Sequence, residues 1–128
     1  MKNFLLFAFF FAFFSGMYSC TKDTAINQTL PTCDSTVVNF TRDVQPIFVA
    51  NCAISGCHDA TTRQNGIDLS QYNDAKTSVG NSGSKSSICR MQGSTCGAIM
   101  PSGSRGLPTA TIQVIINWRD QGYCYNVK

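Results

Sequence analysis

The sequence predicts a small all-α domain with an amphipathic helix near each end and long loops between them. Three observations predict it. Val44, Ile47 and Phe48 stand at i, i+3 and i+4 and give one apolar face to a helix from about Phe40 to Cys52. Ile112, Ile115, Ile116 and Trp118 place a broader apolar stripe on a helix from Thr109 to about Gln121. Between them lie turn-rich stretches such as Gly80–Ser87, which read as loops.

The chain opens with Lys2 followed by Phe4–Phe14, nearly all Phe, Leu and Ala. A charged start and a short apolar run fit a signal peptide over residues 1–19 and are too short for a stable membrane span. Ser15-Gly16-Met17-Tyr18-Ser19 then leads to Cys20. Small residues before a Cys resemble a bacterial lipoprotein cleavage site, in which Cys20 becomes the first mature residue and carries the lipid. Acyl chains would hold the protein to a membrane by burying CH2 groups. Thr21 follows Cys20, where an Asp favours inner-membrane retention, so the expected place is the cell envelope, on the outer membrane or a periplasmic face. Ordinary secretion is the simpler alternative.

Residues 20–37 are expected to be a lipid-anchored tether joining the domain near Cys33, and residues 38–128 the domain itself. Removing residues 1–19 from the 128 leaves 109, enough for one small domain. Nine basic residues then face seven acidic ones, all Asp. With no block of like charge, nothing points to nucleic acid.

Thr41 or Asp43 is expected to cap the first helix, with Pro46 in its first turn. Gly66–Ser70 reads as a short extended piece, and Ser70 as the cap of a modest helix through Tyr72–Val79. Ile88–Gly97 holds two cysteines around Met91. Thr109 is expected to cap the last helix, and Gly122 to stop it.

Cys52-Ala-Ile-Ser-Gly-Cys57-His58 follows the first helix and contains the chain's one histidine. Cys followed by His ends the c-type haem attachment signature, usually C-x-x-C-H. Each thiol adds across a haem vinyl group, and the adjacent His becomes the proximal iron ligand. Here the spacing is C-x4-C-H, with Ser55 and Gly56 giving the longer loop freedom. A Cys52–Cys57 disulfide or half of a zinc site are the plainer readings of the same residues. Further on, Met100-Pro101 offers a soft thioether sulfur as a second axial ligand, with Met91 as competitor and a plain core or surface methionine as the ordinary reading.

Seven cysteines in a short exported chain suit an oxidising compartment. With Cys20 assigned to lipid and Cys52 and Cys57 to haem, four remain, and four allow three connectivities. The favoured pairing is Cys89–Cys96 as a local loop and Cys33–Cys124 as a clasp between the ends of the domain.

Asp43–Phe48 before the first motif Cys, Gly66–Tyr72, Met100-Pro101 and Trp118–Gly122 occur in that order. This set resembles small class-I-like cytochrome c domains, and more closely the single-haem domains of bacterial envelope lipoproteins, over roughly Val38–Tyr123. The resemblance implies end helices packed around a covalently bound haem c, with Cys52 and Cys57 attaching it, His58 proximal and Met100 distal. The chain departs from the usual pattern in its C-x4-C-H spacing. The implied function is electron transfer rather than catalysis, with redox proteins of the envelope as partners. Two rivals stand beside it: a haem-based sensing or catalytic module whose Met100 dissociates, and a haem-free, disulfide-rich surface lipoprotein.

Overall fold

The computed structural model describes residues 30–93 and 95–127. The expected signal peptide, Cys20 and most of the expected tether lie outside the described residues. What is described is mostly helical with long loops, as the apolar patterns required.

The first helix has two parts. A wide π-helical turn, Phe40–Val44, runs directly into α1, Gln45–Asn51. Pro46 explains the change of pitch. It has no N–H, and its ring crowds the carbonyl one turn back. A wider turn there relieves that crowding. The cap is Asn39, one of the fully buried residues, and not Thr41 or Asp43. Asn39 Oδ1 accepts from the Arg42 N–H (2.9 Å), and Asp43 Oδ2 reaches back to accept from the Asn39 N–H (2.9 Å). This is the reciprocal logic of a capping box. The sequence reading erred because the apolar stripe starts later than the helix does.

The other free donors of this helix start are met by the far end of the chain. Phe40 N–H donates to the Cys124 carbonyl (2.8 Å) and Thr41 N–H to that of Tyr125 (3.2 Å). Beside them, β1 (Thr32–Cys33) pairs in parallel with β2 (Asn126–Val127), and Cys33 is bonded to Cys124 with Cα atoms 5.9 Å apart. The expected clasp is therefore present, and the first helix begins on it.

α2 spans Tyr72–Gly80 and α3 spans Ser87–Met91. Ser70 does not cap α2; Gln71 occupies that position without a side-chain bond. Both the N–H and the hydroxyl of Ser70 are turned instead onto the buried Asp68 carboxylate, at 2.9 and 2.6 Å. α3 arises where only a cysteine-bearing loop was expected. Ser86 caps it by accepting from the Cys89 N–H.

α4 spans Thr109–Asp120. Pro108, not Thr109, is its cap residue, because Pro108 already has the extended ψ of 140° and its carbonyl accepts from Thr111 and Ile112. The stop at Gly122 is as expected. Gly122 has φ of +90°, Tyr123 N–H returns to the Trp118 carbonyl, and Gly122 N–H returns to that of Arg119. These are the two bonds of a Schellman motif.

The core lies where α4 meets the π turn, α2 and α3. Trp118, Ile115, Val44 and Phe48 are fully buried in it. Phe40, Tyr72 and Tyr123 surround Trp118 at centroid distances of 5.5, 5.9 and 5.0 Å. The Trp118 indole N–H donates to the Cys124 carbonyl (2.7 Å), so the largest core side chain has its polar atom satisfied.

Candidate functional site: the Cys52–His58 turn

α1 ends by placing Cys52 into the core, where it is 8% exposed. The chain then swings outward through Ala53, Ile54, Ser55 and Gly56. Ile54 is one of two large apolar side chains exposed among the described residues, with Val49 one helical turn earlier than Ala53. Gly56 has φ of +84°, which a side chain would strain. Cys57 N–H closes back on the Ile54 carbonyl and His58 N–H on the Cys52 carbonyl, both at 3.0 Å. The extra residues of the C-x4-C-H spacing are thus an outward bulge, and its two ends are drawn together by the backbone.

The following loop holds this turn from the other side. Gly56 N–H donates to Thr62 Oγ1 (3.1 Å), Gln64 N–H to the Cys57 carbonyl (3.0 Å) and Leu69 N–H to the His58 carbonyl (2.9 Å). Asp74 on α2 accepts from Arg63 and from the Asp68 N–H, each at 2.9 Å. These supporting residues were not found from the sequence. The partners of Asp68 and Asp74 are set by how the loop folds onto α2, which local spacing does not encode.

Cys52 and Cys57 are both unbonded, whereas Cys33–Cys124 and Cys89–Cys96 form disulfides. Burial, with Cys57 close by, pushes the Cys52 thiol up to about 11. Cys52 is thus neutral near pH 7, which slows thiol exchange. His58 is half-buried, and its Nδ1 is buried with no hydrogen-bond partner. Such an atom costs free energy unless a bound group or a neighbour satisfies it. Two unpaired thiols and the one imidazole are thus held together in one turn, the donor set that covalent haem attachment calls for, although the unpartnered Nδ1 is the ring nitrogen that such a histidine would turn away from the iron.

Met100 lies elsewhere in the loop system, half-buried, with a cis bond to Pro101. Its N–H donates to the Arg90 carbonyl (3.1 Å). Arg90 also braces this loop through its side chain, which donates to the carbonyls of Ser84 and Ala98. The described contacts of Met100 are thus with α3 and not with the Cys52–His58 turn. Met91 is 2% exposed and belongs to the same apolar cluster as Cys52. Among the described residues no three His, Cys, Asp or Glu side chains gather to hold a metal ion, and no helix is long and apolar enough to cross a membrane.

No protein-family model, curated protein or solved structure matches the chain.

Proposed function

We propose that the protein is a one-electron carrier of the bacterial cell envelope, with a single haem c on the Cys52–His58 turn and a lipid anchor at Cys20. One observation carries this reading. Of the six described cysteines, four are paired in disulfides, and the two left free are the two that stand before the only histidine. Haem exchanges one electron between ferrous and ferric iron when bound. The protein's part is to hold it. Cys52 and Cys57 make the attachment covalent, His58 supplies the proximal nitrogen, and Met100 supplies the distal sulfur from a loop braced by Arg90. A thioether ligand raises the potential by favouring the reduced state. With both His58 and Met100 as protein ligands, the bound haem would have little room for a substrate, which would suit electron transfer to partner proteins better than catalysis.

Met91 is the alternative distal ligand, favoured by its burial in the cluster that contains Cys52. The sensing or catalytic reading requires instead that Met100 leave the iron, and the hydrogen bond of its N–H is to Arg90 on α3 rather than to the Cys52–His58 turn. Co-expression with haem-maturation machinery, followed by absorption spectroscopy, tests all of these. A low-spin spectrum that is slow to bind CO supports the carrier. Rapid CO binding favours the sensor or enzyme, and a colourless protein rejects the haem.

A further inference from the structure

Charge is divided along this chain. Residues 75–119 hold Lys76, Lys85, Arg90, Arg105 and Arg119 and no acidic residue. Residues 30–74, which carry the Cys52–His58 turn, hold five Asp against Arg42 and Arg63. The fold brings three of the five cations onto α3 and the two loops that lean on it. Arg90 lies on α3, and its Nε donates to the Ser84 carbonyl (2.9 Å), next to Lys85. Its Nη1 donates to the Ala98 carbonyl (3.1 Å). Gly106 packs on the Met91 carbonyl with no room for a side chain, which ties the backbone beside Arg105 to the end of the same helix. Lys85 and Arg105 are exposed. The three ion pairs among the described residues are Arg42–Asp43, Arg63–Asp74 and Arg119–Asp120, so none of them includes Lys85, Arg90 or Arg105. The carbonyls that Arg90 meets satisfy its donors and leave its charge in place.

We infer that this face, formed by α3 and the 82–86 and 102–106 loops, docks the acidic surface of a partner protein. Cations with no acidic neighbour steer such a partner toward the face and fix its orientation. A membrane is the weaker match. The large apolar side chains exposed among the described residues, Val49 and Ile54, stand on α1 and on the outward bulge, so this face has none to bury among lipid chains. Nucleic acid is weaker too, since residues 80–107 contain no aromatic ring for a base to stack on. That the partner is a redox protein rests on the carrier reading; its acidic character rests on the charges alone.

The test uses an octaglutamate peptide as probe, with octaglutamine and phosphatidylglycerol vesicles in parallel, and amide NMR shifts of the purified protein as readout. Haem content does not enter this measurement, so a colourless protein leaves it intact. Octaglutamate is expected to shift resonances of residues 82–86, 90 and 102–106, less so as salt is raised, and octaglutamine to shift none. Lys85→Glu/Arg105→Glu changes two exposed side chains and should weaken octaglutamate about tenfold, since two surface charge pairs are lost. Lys76→Glu/Arg119→Glu alters net charge equally, away from the face, and should cost less than about threefold. Equal losses in the two double variants, or shifts spread over the whole surface, would reduce the effect to net charge and overturn the face. Binding to the vesicles without binding to octaglutamate would overturn the protein partner and give the face to lipid.

Discussion

Two short cysteine loops in this chain meet opposite fates. Cys89 and Cys96, seven residues apart, are bonded, with Cα atoms 6.0 Å apart. Cys52 and Cys57, five apart, are free. Loop length does not separate them, since both are short. What differs is where each loop faces. Cys89 and Cys96 are only partly buried, on the segment that Arg90 braces. Cys52 is pulled inward by α1 into the apolar cluster, while Cys57 stays half-exposed at the foot of an outward bulge. One loop is closed by its sulfurs; the other is closed by backbone bonds, and its sulfurs stay unbonded.

The sharpest way to break this contrast is to remove the free pair. Cys52→Ser/Cys57→Ser should abolish covalent haem entirely, so that acidified organic solvent extracts all of it. Haem that remains on the denatured chain of the double variant would show that the free sulfurs are not its attachment points.

The next effect divides the two methionines. Met100→Ala should leave folding nearly intact but open the distal position, seen as fast CO binding and a lowered potential. Met91→Ala should leave the ligand-sensitive bands alone and cost about 2–5 kcal/mol of stability, because it empties a buried site. Denaturant unfolding and CO kinetics on both variants check the pair. Exchange of the two phenotypes would make Met91 the ligand.

The bonded cysteines should rank by loop size. Replacing Cys33 and Cys124 with Ser, across a separation of 91 residues, should cost about 4–5 kcal/mol on the loop-entropy argument. Replacing Cys89 and Cys96, across a separation of 7, should cost about 2.5 kcal/mol on the same argument. Thermal or denaturant melts give both values, and equal losses would mean that local packing outweighs chain entropy here.

The smallest effect concerns the buried thiol before haem is attached. The reactive thiolate of Cys52 forms only as pH approaches about 11. In haem-free, folded protein its alkylation near pH 8 should be much slower than in the denatured chain. The rate should rise about tenfold per pH unit until that value is approached. Rapid labelling of native Cys52 at pH 8, read by peptide mass, would contradict its burial.

Much of this was legible in the chain because the signals are local. The apolar stripes of the first and last helices, the stop at Gly122 and the grouping of Cys52, Cys57 and His58 each depend on spacing along a few residues. The cysteine pairing was reached by subtraction and agrees with the structure. The helix caps were misread, at Asn39, Gln71 and Pro108, because a cap is decided by which neighbour takes a hydrogen bond. Thr41, Ser70 and Thr109 have suitable chemistry, but Ser70 is engaged by Asp68, and Thr109 follows a proline whose carbonyl already begins the helix.

The sequence by itself determined the helical class, the chemistry gathered at Cys52–His58 and the two ends that must meet, since covalent order and periodicity encode all three. Only the tertiary structure decided that the C-x4-C-H loop bulges outward and closes through the His58 N–H, that Asp74 and Leu69 hold it, and that Arg90 positions Met100. Those outcomes rest on hydrogen bonds between segments far apart in the chain. Their partners come within reach only once Trp118 and Phe40 have packed and the ends are clasped.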